Sequence, residues 1–506
     1  MNKDKLKILL VSPEVVPFAK TGGLADVAGA LSKVLSRMGC DVKTILPKYK
    51  MVDEKKYGLE KLNCSLPEIR IGEKTTKFKI KKCHLSDSGA EYLFLENKEY
   101  FDRDELYSDK KTGQDYEDND ERFILFARGA LETVRALNWK PDLIHCNDWQ
   151  SAMIPAYLKT IFEEDQFFSK TATLLTIHNI AYQGNFPRST FDKLGLDKGL
   201  FYPLSPFEYW GGLNFLKIGI SYADLINTVS EKYSQEIQSG PEFGYGMEGI
   251  LKDRSRDIYG VLNGADYEEW SPERDKLIPY NFGKGNLQVK IKNKEFLLKQ
   301  AGLGTDGNIP LIGMISRLAD QKGFDLLYQI ADKLLSLQVK LVILGTGEQK
   351  YHLFLTELEK KYPDKAKIYL KYDNKLAHLI EAGSDIFLMP SRYEPCGLNQ
   401  MYSLRYGTVP IVRETGGLAD TIQDYDSQNQ RGTGFVFKDY NGEELLSAIK
   451  RALVLFKNRA AWTNLMIQGM EKDFSWEASA KKYLQLYNKA VEKKKEVVVS
   501  SLKSNG

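Results

Sequence analysis

One hexapeptide occurs twice in this chain. Thr-Gly-Gly-Leu-Ala-Asp stands at 21–26 and again at 415–420, each time after an apolar, β-rich run and before a helical stretch. Strand, glycine turn and helix open a parallel α/β unit, because parallel neighbours must be joined by a crossover. Two such openings near opposite ends of 506 residues predict two large α/β, Rossmann-like domains, where length alone suggests roughly three units.

The runs between the copies fit that organisation. Residues 8–11 read as a buried strand, followed by a loop with Pro13, Pro17, Gly22 and Gly23. A helix with Leu24, Val27, Ala28, Leu31, Val34, Leu35 and Met38 on one stripe comes next, ended by Gly39, and then a strand at 42–46. Residues 75–96 differ: Phe78 and Ile80 alternate with lysines before a turn at 86–89 and an apolar run at 92–95, the pattern of an antiparallel hairpin inserted into the α/β scheme. Runs at 143–145, 173–177, 225–229 and 259–262 each lead into polar or glycine-containing loops, as strand ends do in open α/β sheets, where ligands gather. Lysine-rich residues 265–307 read as a boundary or hinge. A second alternating block follows, with strands at 311–315, 339–344, 368–370, 386–389 and 410–412 and helices at 324–337, 375–382 and around 401–405. The tail from 473 to 491, carrying Trp476, Tyr483, Leu484 and Tyr487, is helical in pattern and ends in a lysine run at 493–495 expected to be solvated.

Composition removes several functional classes. With 42% apolar, 27% charged and 11% aromatic residues, the chain is neither disordered, collagen-like nor a disulfide scaffold. Lys plus Arg exceed Asp plus Glu by 71 − 68 = +3, so no charge excess drives binding to nucleic acid or a membrane surface. Cys40, Cys64, Cys83, Cys146 and Cys396 have no C-x-x-C spacing, which argues against structural zinc and for free thiols in a reducing compartment. The opening Met-Asn-Lys-Asp-Lys lacks a signal-peptide core, and no stretch approaches 18 apolar residues. A cytoplasmic protein is expected, although a mature organellar one would look the same.

Candidate chemistry clusters at loop positions. A glycine pair between strand and helix lets backbone approach a ligand, and the helix start favours an anion; this applies to Gly22-Gly23 and Gly416-Gly417, though turn geometry alone also explains such pairs. Lys20 adds a cation to the first loop or is an ordinary surface lysine. Residues 315–323 place Arg317 and Lys322 between a strand end and a helix start, a combination suited to a diphosphate. Glu394, in Pro-Ser-Arg-Tyr-Glu-Pro-Cys-Gly at 390–397, either caps the following helix or accepts sugar hydroxyls. Cys396 is either packing or a pocket thiol. In the first half, His145, Asp148 and His178 stand at strand ends, with a structural histidine the ordinary alternative. Ser-His-Asp order, H-E-x-x-H and a phosphate loop ending in Gly-Lys-Ser/Thr are all missing.

Taken together, Lys20-Thr-Gly-Gly-Leu-Ala-Asp-Val27, the His178 segment, the Arg317/Lys322 segment, Glu394-Pro-Cys-Gly397 and Thr415-Gly-Gly417 resemble the bacterial glycogen synthase and plant starch synthase family, from residue 7 to about 490. The resemblance implies the GT-B architecture, two Rossmann-like domains facing across a cleft. The N-terminal domain, 1–265, would serve the acceptor and receive helix 474–491; the C-terminal domain, 266–473, would bind a nucleotide sugar. It further implies retaining transfer of glucose from ADP-glucose, with UDP-glucose the alternative donor, to the non-reducing 4-hydroxyl of an α-1,4-glucan, using no metal and no cofactor. Arg317 and Lys322 would neutralise the leaving diphosphate with Lys20 and the backbone of Gly23, Gly416 and Gly417. Cys396, Gly397 and Thr415 complete the implied donor site, Glu394 holds glucosyl hydroxyls, and His178 lies near the anomeric carbon. Asp148, Asp26 and Tyr100 are implied on the sugar or acceptor side. Two positions qualify what the resemblance implies: Tyr402 stands where many GT-B enzymes have a second glutamate binding ribose, and Asn399 where relatives often carry threonine. A non-catalytic glucan-binding scaffold and a transferase making another glucoside are the competing readings, and oligomeric state stays open.

Overall fold

The structure, a computed structural model, describes residues 5–504; residues 1–4, part of the stretch read for a leader, lie outside it. The chain divides into two compact units. Unit 1 comprises residues up to Val229, Ser234–Gly264 and the chain from Trp476; unit 2 comprises Ser230–Tyr233 and Ala265–Ser475.

Unit 1 is built on a nine-stranded sheet. Its order is Ile258–Gly260, Leu225–Thr228, Ala172–Ile177, Leu143–Asn147, Lys7–Val11, Asp41–Pro47, Glu91–Glu96, Lys79–His84 and Glu60–Lys61. The first seven are parallel, and Lys79–His84 runs antiparallel to both of its neighbours, Glu91–Glu96 and Glu60–Lys61. The hairpin is therefore not an insertion. Glu91–Glu96 pairs in parallel with Asp41–Pro47, Thr44 opposite Tyr92, because Tyr92–Leu95 is apolar on both faces and fully buried, as an interior strand must be. The expected opening helix spans Gly23–Arg37 and buries its apolar stripe.

The C-terminal helix Trp476–Ser504 packs on that helix and on the strands Leu143–Asn147 and Ala172–Ile177. His145 is spent there as a structural brace, its Nδ1 2.9 Å from the Tyr487 hydroxyl and its Nε2 2.7 Å from Thr176 Oγ1. Burial pushes its pKa down to about 3, leaving it neutral. The lysine run at 493–495 is only partly solvated, since Lys493 donates to the Asp224 carbonyl at 3.0 Å and pairs with Asp257.

Unit 2 carries a six-stranded, wholly parallel sheet in the order Ala366–Tyr369, Lys340–Leu344, Leu311–Ile315, Ile386–Met389, Val409–Arg413 and Phe435–Phe437. Numbered along this unit, that is 3-2-1-4-5-6, the Rossmann order. Phe324, Leu327, Ile330 and Leu334 from the helix Phe324–Ser336 enter its core.

The stretch 265–307 is not a plain hinge. It contains the helix Lys290–Gln300, whose Leu297 and Leu298 are fully buried. Lys290 is buried too, its Nζ donating to the carbonyls of Glu381 (3.1 Å) and Ala382 (2.9 Å) and to Thr408 Oγ1 (2.7 Å). Those carbonyls belong to the last turn of the helix Asn374–Gly383, where a cation satisfies orphan acceptors and meets the negative end of the dipole. A lysine used in this way cannot be told from a solvated one by composition. Among the described residues, no helix is long and apolar enough to cross a membrane, and all five cysteines are free thiols.

Candidate active site

In an open parallel sheet the ligand crevice forms at the carboxyl ends of the strands, where the strand order reverses. In unit 2 that point lies between Leu311–Ile315 and Ile386–Met389, and a cavity of about 210 Å³ opens there. Its lining includes Ser316, Arg317, Lys322, Ser391, Glu394, Gly397 and Asn399. Arg317 and Lys322 thus reach one site with Glu394. Lys322 Nζ sits 2.6 Å from Glu394 Oε2, and Ser391 Oγ donates to the same oxygen at 3.1 Å. Glu394 is 6% exposed and caps nothing; the helix Asn399–Arg405 has Leu398 at its N-cap and no side-chain cap. Arg317 is exposed, its Nη2 3.4 Å from Gln321 Oε1.

Backbone geometry sets these groups. Gly323, at φ +77°, brings the Lys322 turn so close to the Pro390 carbonyl that an added Cβ would lie 2.1 Å from its oxygen. Asn399 Nδ2 donates to the Ile315 carbonyl at 2.8 Å, tying the start of the helix Asn399–Arg405 to the end of the strand Leu311–Ile315.

The second Thr-Gly-Gly turn packs against the Glu394 loop. Thr415, Gly416, Gly417 and Cys396 are buried and do not line the cavity. A Cβ on Gly416 would lie 2.0 Å from the Glu394 carbonyl oxygen, and one on Gly417 2.0 Å from that of Cys396. The Gly417 amide is already donated to the Glu394 and Pro395 carbonyls, at 3.1 and 3.2 Å. These glycines let the turn seat directly against the Glu394 loop.

The first copy is open. Gly22 and Gly23 are exposed, and a Cβ on either would meet nothing within 4 Å. Lys20 Nζ pairs with Asp26 at 2.8 Å, both partly solvated. The loop is held by Glu14, which sequence reasoning missed. Its nearly buried carboxylate accepts the Thr21 amide, Thr21 Oγ1 at 2.5 Å, the Gly22 amide at 3.2 Å and the Tyr107 hydroxyl at 2.7 Å. The available signal was a carboxylate just beyond a strand, wedged between Pro13 and Val15.

At the reversal point of the unit 1 sheet, between Lys7–Val11 and Leu143–Asn147, stands Asp148. Its φ of +53° is a left-handed conformation that aspartate tolerates. Asp148 Oδ1 accepts the His178 amide at 2.7 Å. Burial pushes Asp148 up to about 7, with Glu14 adding to the shift and the His178 and Asn179 amides opposing it. His178 Nε2 is 2.9 Å from Asn147 Oδ1, and Asn147 Nδ2 donates to the Val11 carbonyl at 3.1 Å. That bond orients the amide, so His178 carries its proton on Nε2 and leaves Nδ1 as the acceptor. Burial lowers His178 to about 3, keeping it neutral. Asp148 and His178 are therefore brought together. Tyr100 is not with them: it is 1% exposed and donates to Glu121 at 2.7 Å.

Tyr402 stacks on Trp270 with ring centroids 4.2 Å apart and 4° between planes. Trp270 in turn stacks on His378 at 3.7 Å and 14°. Asp275 Oδ2 lies 2.8 Å from His378 Nδ1 and accepts the Tyr406 hydroxyl at 2.6 Å.

Comparison with known proteins follows the same division. The family described as starch synthase catalytic domain matches residues 7–253, and glycosyl transferases group 1 matches 297–465. A glycogen synthase of Geotalea daltonii is 48% identical, covering 97% of this chain and all of the relative; one of Thermotoga maritima is 44% identical, covering 96% and 99%. The catalytic domain of starch synthase IV from Arabidopsis thaliana, solved bound to ADP and acarbose, superposes with a TM-score of 0.85 at 33% identity, covering 97% and 100% of the two chains. A sucrose-phosphate synthase from Thermosynechococcus elongatus, at 16% identity and a TM-score of 0.55 over 96% and 99%, shares the fold.

Proposed function

The chain belongs to the glycogen and starch synthase family of glycosyltransferases and elongates a glucan from a nucleotide sugar, and from that premise we propose that ADP-glucose is its donor, with unit 2 taking the nucleotide sugar and unit 1 the acceptor. The single observation that carries the donor assignment to unit 2 is the cavity at its strand-order reversal, where Arg317 and Lys322 stand with Glu394.

As the glycosidic bond breaks, negative charge grows on the departing diphosphate. Lys322 has three N–H donors and gives one to Glu394, leaving two for phosphate oxygens; Arg317 adds a planar fork able to hold two more. Charges fixed before the reaction need no reorganisation during it, so they stabilise the transition state more than the ground state. Glu394 accepts hydroxyls of the glucosyl unit and is itself oriented by Lys322 and Ser391. Lys20 and the open Gly22–Gly23 backbone are the groups of unit 1 suited to a phosphate.

On the acceptor side, neutral His178 presents Nδ1 as an acceptor beside the sugar, and Asp148 fixes the segment through its amide. The 4-hydroxyl attacks from the face the diphosphate leaves, and its proton passes to the departing phosphate, which preserves configuration without a carboxylate nucleophile. Retaining glycosidases, by contrast, form a covalent intermediate with a carboxylate. The support for ADP over UDP is the likeness to a starch synthase solved with ADP. A reducing, cytoplasmic setting agrees with five free thiols.

Transfer of labelled glucose to glycogen tests the proposal with ADP-glucose and UDP-glucose run side by side. Faster labelling from ADP-glucose is expected. Preference for UDP-glucose would overturn the donor assignment, and no labelling from either would favour a glucan-binding scaffold.

A further inference from the structure

Unit 2 has a second cavity, of about 360 Å³, at the other end of its central strands. Leu388 and Met389 line the cavity of Arg317 and Glu394 at the carboxyl end of the strand Ile386–Met389, whereas Gly383 and Asp385, just before that strand, line the second one. The Asp385 carboxylate also accepts the Leu311 amide at 2.8 Å, fixing the amino end of the neighbouring strand. The remaining wall comes from the segment Lys284–Val289 and the helices Lys290–Gln300 and Arg459–Met470.

Its charges do not balance. Among the described residues the lining holds four cations, Lys284, Lys290, Lys294 and Arg459, and one carboxylate, Asp385. Asp385 is spent on Lys294, 2.6 Å away, and Lys284 reaches Glu471 only at 3.4 Å, with both side chains about half exposed. Lys290 donates to two carbonyls and to Thr408 Oγ1, all uncharged acceptors. Burial draws its pKa down to about 7 and pushes the Glu381 carboxyl up to about 8, so an anion brought near Lys290 would favour its charged form. Arg459 is exposed, lies over the Phe456 ring at 4.1 Å, and makes one hydrogen bond, to Asn308 Oδ1 at 3.4 Å. Most of its five N–H donors are unused.

Between the cations the wall is apolar. Leu287 and Trp462 are buried, and Met466 and Ile467 are half-buried. Trp462 meets Phe456 edge to face, ring centroids 5.2 Å apart, and its indole N–H has no acceptor among the described residues. A buried indole ordinarily finds one, so this donor is open to a ligand in the cavity.

We propose that this cavity binds a small amphipathic anion, an aromatic or acyl body carrying one carboxylate or phosphate, with the body against Trp462, Leu287 and Met466 and the anionic group on Arg459 and Lys284. An apolar wall alone would take a neutral molecule, and exposed cations alone a bare ion. The two together in one concave site select a ligand that has both characters. Unit 2 thereby gains a ligand position apart from the site of Arg317, Lys322 and Glu394, and the inference stands whichever sugar nucleotide that site takes.

The test is a fluorescence titration of the full chain with anilinonaphthalene sulfonate, an aromatic body with a permanent anionic group, beside its uncharged counterpart N-phenylnaphthylamine, each with and without ADP. Wild type should bind the sulfonate saturably, undisplaced by ADP, and the uncharged amine at least about tenfold more weakly. Arg459→Glu should weaken sulfonate binding by at least about tenfold, because it sets a like charge where the anion sits, and Lys284→Glu should act in the same direction. Trp462→Phe keeps the ring and removes the N–H, for a loss of about fivefold. Arg459 and Lys284 are exposed, and melting curves confirm that the variants fold. Absence of saturable binding, equal affinity for the two probes, displacement by ADP, or titrations of Arg459→Glu and Lys284→Glu that match wild type would each overturn the site.

Discussion

Two alanine substitutions at corresponding glycines, Gly23→Ala and Gly417→Ala, should fail in opposite ways. At Gly417 the new Cβ would lie 2.0 Å from the Cys396 carbonyl oxygen and 2.5 Å from its Cα. A relaxed contact is above 3 Å, so the Glu394–Cys396 backbone must retreat by about an ångström, an over-packing cost of roughly 3 kcal/mol. For a unit of about 200 residues that is a Tm lower by roughly 6–12 °C. Because the loop that moves carries Glu394, activity should fall about 10²-fold with it. At Gly23 a Cβ meets nothing within 4 Å, and the site opens the helix Gly23–Arg37, so stability should change by less than about 0.5 kcal/mol. Transfer should still fall at least about tenfold, because the Cβ occupies the space through which a phosphate reaches the backbone. Calorimetry and labelled-glucose transfer on both variants decide the matter. A Gly417→Ala protein as stable as wild type, or a fully active Gly23→Ala protein, would refute the division of roles between the two copies.

Further outcomes follow from the ionisable groups. Asp148, raised to about 7 by burial, should give kcat/KM an acid limb near neutrality that is absent from the residual activity of Asp148→Asn; an unmoved limb would place the titration elsewhere. Burial opposes charge on His378, but its hydrogen bond to Asp275 and the negative charges of Asp275 and Glu269 prevail and raise it to about 9. A raised histidine stabilises fully below its unfolded pKa of about 6.5 and loses that contribution as pH climbs through 9, at most about 3 kcal/mol. The melting temperature should therefore drop between pH 6.5 and 9.5, and Tm profiles of equal slope for wild type and His378→Asn would contradict this. Glu394→Gln should lose transfer while keeping most of its ADP affinity by titration calorimetry, since the proposed partner is the sugar; a large loss of ADP binding would move Glu394 to the nucleotide.

How much of this was legible in the residues depends on what each residue had to do. Parallel strands announce themselves because both faces are buried, and 8–11, 173–177 and 311–315 were read nearly to their ends. The repeated hexapeptide marked two helix starts correctly. It could not reveal that one glycine pair is open to solvent while the other seats against the Glu394 loop, because glycine serves close approach to protein and to ligand alike. Lys290 and Lys493 misled for a related reason: a lysine satisfying helix-end carbonyls or a half-buried aspartate is spelled like a solvated one. Arg317, Lys322 and Glu394 were recoverable since each lies just past a strand end. Glu14 was not, because its work is to hold the Thr21–Gly22 backbone, and only distances show that. The hairpin was recognised, but its place in the main sheet depends on pairing with Asp41–Pro47, a long-range contact without a local signature.

We propose that cations at the strand-order reversal of unit 2 take up the diphosphate as glucose leaves. Single-turnover transfer from ADP-glucose to glycogen by Lys322→Ala tests it most directly, because that rate isolates the bond-breaking step from product release. A fall of roughly 10²–10³ in a folded protein is predicted, the size of one lost preorganised electrostatic contact. A rate within about threefold of wild type, less than about 1 kcal/mol of barrier, would contradict it.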